Sequence, residues 1–307
     1  MKVYIPQYPE ISAGGMIYRG YYNAWQSLGC EVVYYKSINE INDSDYIIMC
    51  VDNDMVINNN KFIEILNECK KMICFCNGSW APTIFKTYCT QLTKEQIEII
   101  CKSDKFIAWS FTSNRYDKWG HDYYDKFNFN FLGLPLAYDN FTYKHIVDKE
   151  WEYDVCFVGA YVQNGNIPFK AQHIIEWIMS LESKGLKCGF FGMGDRKKIT
   201  LEDEAKLLYN SKIALNVNDL YQILMGSDIN ERAFKSLGSN GFLITDYVKQ
   251  SDILNLPCIN CNNVNEFHQQ IFQHLNADLS TVKEYNRKFM LDNHTYVNRV
   301  KDILNRI

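Results

Sequence analysis

Short apolar runs alternate with helix-period stretches along almost the whole chain, and this alternation restricts the fold more than any other feature. In the first half, "KVYIP", "EVVYY", "DYIIMCV", "MICFCN", "KFIAWS" and "FNFLGLP" read as strands. Between them lie the helical patterns "MIYRGYYNAWQSLG", closing at Gly29, "NNKFIEILNECKK", "KEQIEIICKS" and the short "SNRYDKWGH". Runs that are apolar on both faces, separated by helices, predict a parallel sheet covered on each side. A polar, aperiodic stretch from Tyr138 to Glu152 reads as a linker, after which the pattern restarts with "YDVCFVGAY", "KCGFFGMG", "KIALNVN" and "GFLITD" as strands. The expected architecture is α/β with two Rossmann-like domains, residues 1–150 and 151–307, facing across a cleft. The last helix is a candidate to pack back on the first domain. Ligands of such sheets bind where strands end and helices begin.

Composition removes several function classes. The chain has 307 residues, 47% hydrophobic and 22% charged, enough for a substantial core. Its net charge of -4 argues against a general nucleic-acid binder, so no nucleic-acid partner is expected. The 11 Cys, an odd number scattered along strands and helices, point to buried thiols in a reducing compartment. Cys258 and Cys261 form the one CxxC, with no second pair and no nearby His, so no metal site is expected there. The N-terminal stretch lacks a signal-peptide pattern and no apolar run approaches the roughly 18 residues of a membrane span. A cytoplasmic protein follows, with room left for peripheral membrane contact.

Four stretches carry candidate anion-binding residues. "SAGG", with Gly14 and Gly15, follows the first strand and opens a helix. It lacks the dinucleotide fingerprint and the P-loop lysine, so a plain tight turn explains it equally well. "VGAYVQNGNIPFK" has Gly159 at a strand end and Lys170 at a helix start, where a cation runs against the macrodipole unless an anion is present. "FFGMGDRKK" has Gly192 and Gly194 at another strand end, beside a turn of Arg196, Lys197 and Lys198 that reads as solvated. In "SDINERAFKSLGSNGFLITD", Asp228 and Glu231 fit a D-x-x-E capping box, while Asn230, Arg232 and Lys235 open a helix in which Arg232 and Lys235 share a face. Asn216 and Asn218 end the preceding strand at the same edge. These positions, Gly14, Gly15, Gly159, Lys170, Gly192, Gly194, Asn216, Asn218, Asn230, Arg232 and Lys235, are the candidate donor-binding residues.

The motifs "YDVCFVGAY", "SKIALNVND", "INERAFKSLGSNGFLITD" and "NHTYVNRVKDIL" together resemble the CgeB-like, or spore-maturation-protein-like, glycosyltransferases of the GT-B superfamily. The likeness spans roughly residues 153–307 and is carried by Asn230, Arg232, Phe234, Gly241 and Asp246, and by His294, Thr295, Tyr296, Asn298 and Arg299. It implies a nucleotide-sugar donor held mainly by the second domain and a glycan, glycolipid or glycoprotein acceptor held mainly by the first. It further implies metal-independent transfer with no cofactor beyond the co-substrate, cations and a helix N-terminus stabilising the leaving diphosphate. One position departs from the family pattern: Lys235 stands where relatives carry a Glu that holds the nucleotide ribose.

Catalytic assignments stay open on sequence alone. An inverting enzyme needs a general base near the acceptor hydroxyl, for which Asp52 and His121 are the leading candidates, with Asp54 and Glu10 behind them. His121 reads equally well as an exposed loop residue. Asp52-Asn-Asp54 after an apolar strand also suggests a GT-A-like, metal-dependent transferase. The Lys235 departure supports a third reading, a non-catalytic GT-B-shaped glycan-binding protein.

Overall fold

The computed structural model describes residues 1–10, 12–51, 59–75, 94–111, 130–159, 168–193 and 196–307. They divide into two units: Met1–Pro135 with Tyr296–Ile307, and Leu136–Thr295.

Unit 1 is built on a six-stranded sheet of order β2-β1-β3-β4-β5-β6, in which every pair is parallel. The strands are β1 Lys2–Pro6, β2 Glu31–Tyr35, β3 Ile47–Val51, β4 Lys71–Phe75, β5 Phe106–Ser110 and β6 Phe131–Gly133. Its helices are α1 Ala13–Ser27, α2 Asn59–Glu68 and α3 Lys94–Lys102. One apolar cluster joins Tyr4, Ile48, Met72 and Phe106 on the sheet to Phe62, Leu66 and Ile100 on α2 and α3. Burying side chains of this size is worth about 1.5–3 kcal/mol each. That is why strands of near-continuous apolar sequence are stable only inside such a layer.

Unit 2 carries a second parallel sheet of order β11-β10-β9-β7-β8. Its strands are β7 Val155–Val158, β8 Cys188–Phe191, β9 Ile213–Asn216, β10 Leu243–Asp246 and β11 Ile259–Cys261. Its helices are α4 Pro168–Trp177, α5 Leu201–Asn210, α6 Leu220–Met225, α7 Glu231–Ser239, α8 Gln250–Ile253, α9 Val264–Leu275 and α10 Ser280–Asn293. The chain leaves β7 for β8 on one side and then crosses to β9 on the other. The direction of winding therefore reverses between β7 and β9, which is the topological switch point of this sheet.

The final helix, α11 Tyr296–Leu304, belongs to unit 1 and lies against α1. Tyr296 meets Tyr21 edge-on at 5.0 Å, and Gly20 permits the approach, since a Cβ there would stand 2.2 Å from the Tyr296 ring. Buried Arg299 anchors the helix by donating from Nε to the Pro135 carbonyl at 2.8 Å.

The stretch 138–152, expected as a linker, is an integral part of unit 2. Tyr138, Asp139 and Tyr143 are buried, and the Tyr138 hydroxyl donates to the Tyr143 carbonyl at 2.6 Å. The polarity that suggested a linker comes from residues that satisfy one another locally. Asp139 accepts from the Phe141 and Thr142 amides and from the Thr142 hydroxyl. Such a segment needs no hydrophobic period to be ordered.

Candidate donor site at the switch point

Arg232 is the centre of the site. Asn230 caps α7, its Oδ1 accepting from the Ala233 amide at 3.3 Å, so Arg232 falls in the first turn. The expected cap at Asp228 is not formed. Asp228 instead adopts a left-handed backbone, φ 59°, and its carboxylate accepts from the Tyr221 hydroxyl at 3.0 Å. Glu231 keeps a first-turn position, where a negative charge suits the helix dipole.

The Arg232 guanidinium spans the switch point. Nε donates to the Val158 carbonyl at the end of β7 at 2.7 Å. Nη1 donates to Asn216 Oδ1 at 3.0 Å and to the Val217 carbonyl at 3.1 Å, both at the end of β9. The plane lies over the Phe157 ring, 4.5 Å from its centroid. Nη2 makes no hydrogen bond among the described residues, and it sits 2.7 Å from where a Cβ on Gly159 would be. Gly159 is thus required for space, and the group it makes room for is the guanidinium edge with unspent donors. Burial lowers the guanidinium pKa from its ordinary value, while Asp219, Glu204, Asp246 and Glu231 pull it back up.

A buried polar network holds this edge of the sheet. Asp246, at the end of β10, accepts from the Asn218 amide at 3.0 Å and from Asn218 Nδ2 at 2.6 Å. Asn218 Oδ1 accepts from Asn230 Nδ2 at 3.0 Å, and Asn216 Nδ2 donates to Thr245 Oγ1 at 3.0 Å. Asn216, Asn218 and Asn230 therefore position the end of β9 and the start of α7, with their polar atoms engaged inside the protein. His173 on α4 completes the network, its Nε2 2.9 Å from Asp246 Oδ2 and its ring against Trp177 at 4.5 Å. Neither His173 nor Asp219 was among the sequence candidates. The signal for His173 was its i+3 spacing from Lys170, which sets both on one face of α4.

Lys170 meets the anion its helix position calls for, and the chain itself supplies it: Nζ lies 2.8 Å from Asp219 Oδ1, both side chains part-exposed. Gly192 has φ 76°, and a Cβ there would be 3.1 Å from the Gly159 carbonyl, so the ends of β7 and β8 approach closely at these two glycines. In unit 1 the glycines of "SAGG" make room for the chain itself, Gly15 for backbone and Gly14 for the Tyr8 ring. A Cβ on Gly15 would be 2.1 Å from the Pro9 carbonyl oxygen and one on Gly14 3.0 Å from Tyr8. The Gly15 amide is already bonded to Ser12 Oγ.

Lys235 does not join Arg232. Its Nζ is 2.5 Å from Glu204 Oε1 on α5 and 5.5 Å from the Tyr143 ring centroid, while the Tyr143 hydroxyl donates to Glu204 Oε2 at 3.1 Å. Both charged side chains are about 93% buried. The expected shared face fails because α7 is enclosed nearly all round, so three-residue spacing no longer identifies one exposed stripe. Arg196 pairs through both terminal nitrogens with Glu182. Asp52, Asp54, His121 and Gly194 lie outside the described residues. Among the described residues no group of three or more His, Cys, Asp or Glu side chains is placed to hold a metal ion.

With this geometry in place, comparison with known proteins gives a consistent result. Along 99% of its length the chain matches an α-glucosyltransferase solved with UDP-glucose and DNA containing an abasic site, covering 98% of that chain, with a TM-score of 0.61 at 10% identity. The fold is GT-B. T4 phage β-glucosyltransferase gives a TM-score of 0.57 at 13% identity over 98% of this chain and 96% of its own. A trehalose 6-phosphate synthase from Burkholderia multivorans gives 0.53 at 9% identity, over 98% and 77%. In sequence, residues 171–305 match the family model described as glycosyl transferase-like, and no curated protein matches the chain. The matched region contains α7 and the whole Asn216–Asn218–Asn230–Asp246 network. Glycosyltransferase is the enzyme class that this match and the GT-B fold together support.

Proposed function

We propose that this protein transfers a glycosyl group from a nucleotide sugar to a carbohydrate-containing acceptor, with unit 2 binding the donor. The observation that carries the reading is Arg232. Three of its donors fix the guanidinium to the ends of β7 and β9, and Nη2 has no hydrogen-bond partner among the described residues. A guanidinium held in this way is preorganised for phosphate oxygens, and stabilising a leaving diphosphate requires positive charge there without reorganisation. Lys170, part-exposed beside Asp219, supplies a second cation on the same edge of the sheet. The transfer is proposed to need no metal, since fixed cations take over the metal's electrostatic task. UDP is the nucleotide to test first, because the glucosyltransferase with the highest similarity quoted above was solved with UDP-glucose. Membership of the CgeB-like group rests on the sequence motifs, and a cytoplasmic location on the free thiols.

The test is calorimetric titration with UDP and a panel of UDP- and other nucleotide sugars in the presence of a chelator, followed by assay of nucleotide release. Saturable binding without metal is expected. No binding across the panel would end the proposal, and binding only with Mn²⁺ would return the GT-A-like alternative based on Asp52 and Asp54.

A second acceptor reading, DNA, is favoured by the whole-length likeness to an α-glucosyltransferase solved in complex with DNA and to a β-glucosyltransferase described as a DNA modifying enzyme. The net charge of -4 opposes it, because phosphate contacts dominate DNA affinity. Transfer of labelled sugar to duplex DNA against a panel of glycans separates the two, and we favour the glycan.

A further inference from the structure

The opposite edge of the unit 2 sheet holds a pocket of about 360 Å³. Glu152 and Asp154 precede β7, Lys187 precedes β8, Ser211 and Lys212 precede β9, and Lys283 reaches in from α10. The four residues of β7 separate this pocket from Gly159, a distance of about 13 Å at about 3.3 Å per residue. It is therefore a different place from the Arg232 site.

Its electrostatics are unusual for a surface hollow. None of the three lysine side chains forms an ion pair among the described residues. The hollow also holds the carboxylates of Glu152 and Asp154, neither of which forms an ion pair with the lysines among the described residues. An Asp154 oxygen accepts from the Lys187 backbone amide at 2.8 Å. Lys187 Nζ stands over the Tyr153 ring at 5.0 Å. Lys283 Nζ donates to the Ser211 carbonyl at 2.7 Å and makes no other hydrogen bond among the described residues, which leaves two of its three N–H groups without a partner there. Burial and the nearby charges of Lys212 and Arg287 push its ammonium pKa down to about 8. The Ser211 carbonyl also accepts from Asn240 Nδ2 at 2.6 Å, so Lys283 supplies the second of its two hydrogen bonds. Lys283 is held near Lys212 and Arg287, in an open hollow, with no ion-pair partner among the described residues.

We propose that this pocket binds a phosphate group, free or as a small phosphate monoester, with Lys283, Lys212 and Lys187 as its ligands. A dianion relieves the repulsion between Lys283 and Lys212 and accepts the two spare Lys283 donors. The hollow is larger than a bare phosphate, which favours the monoester.

The experiment is thermal unfolding of the full chain in increasing inorganic phosphate, and separately in glycerol 3-phosphate, each against sodium chloride at matched ionic strength. A saturable rise in Tm beyond the chloride control is expected for the unmodified protein. A lower half-saturating concentration for the monoester would identify the ester as the ligand, and equal or lower values for phosphate the free ion. Arg232→Ala keeps the rise, because the donor site is elsewhere. Lys283→Met has a higher Tm than the unmodified protein without phosphate, since an unpaired cation is gone, and loses the saturable response. Lys212→Ala, at a part-exposed position, weakens the response at least tenfold. The proposal is overturned if no saturable rise occurs, if Lys283→Met and Lys212→Ala respond like the unmodified protein, or if Arg232→Ala alone abolishes the response. A Lys283→Met protein that is less stable without phosphate and still responds would likewise overturn it.

Discussion

Arg232 Nη1 donates to Asn216 Oδ1 at 3.0 Å, and this bond joins the first turn of α7 to the end of β9. Asn216 is fully buried and is itself held by Thr245, so the guanidinium is oriented from below by a side chain that cannot turn away. Replacing Arg232 removes both the charge and a group that bridges the two strand ends. Arg232→Ala is expected to weaken UDP affinity by about 10–100-fold, the range of one strong charge-assisted contact. Arg232→Lys should recover little, because one ammonium cannot reproduce three fixed donors. Titration calorimetry checks both, and unchanged affinity in Arg232→Ala would remove the residue from the donor site.

Gly159→Ala tests the same site without touching a charge. The added Cβ would be 2.7 Å from Nη2 and 2.8 Å from two Phe157 ring atoms, so the guanidinium must move. The expected result is a loss of UDP affinity at least tenfold with a stability cost of about 1–3 kcal/mol. Urea unfolding measured alongside the titration separates the two effects. Full affinity in this variant would show that the position of Nη2 is not used.

Lys235 and Glu204 form a buried pair whose worth shows only when one partner is lost. Glu204→Met or Lys235→Met is expected to cost about 3–5 kcal/mol, because the remaining charge is left without compensation. The double variant Glu204→Met with Lys235→Met should regain most of that loss and bind UDP within about twofold of the unmodified protein. Denaturant unfolding of the three variants forms the cycle. A selective loss of nucleotide affinity in Lys235→Met, with stability preserved in the double variant, would place Lys235 back among the donor ligands.

Two part-buried histidines, His145 and His268, make unit 2 sensitive to acid. Burial pushes the His145 pKa below its ordinary 6.5, and burial with Lys184 does the same to His268. Below about pH 6.5 the unfolded chain takes up protons at these positions that the folded chain does not. More protons on the unfolded side means stability falls as pH drops from about 7 to 5. Tm measured across that range should fall less steeply in His145→Gln and in His268→Gln than in the unmodified protein. Parallel curves would show that these imidazoles do not contribute.

Gly20→Ala addresses the return of the terminal helix to unit 1. A Cβ 2.2 Å from the Tyr296 ring forces α1 and α11 apart, at an expected cost of about 1–3 kcal/mol by urea unfolding. The partner variant Gly20→Ala with Tyr296→Leu should recover part of it. No recovery would mean that the strain is relieved elsewhere.

Much of this fold was legible along the chain because its information is local. Apolar runs such as "IIMCV" and "IALN" can be satisfied only in a sheet buried on both faces, and alternation with helices makes that sheet parallel. Arg232, Gly159, Asn216 and Asn230 could also be placed at one sheet edge from their positions at strand and helix ends. What each does there was decided by tertiary structure. Lys170 found Asp219, Asp228 yielded the cap to Asn230, and Lys235 found Glu204, 31 positions away in sequence and on another helix. A charge's role depends on which opposite charge the fold brings within a few ångströms and on how much water is excluded there. Neither quantity is written in the periodicity of the segment that carries it. The sequence alone determined two parallel α/β layers and the sheet edge at which Arg232 stands; only packing separated the cation held at the switch point from the one that holds two helices together.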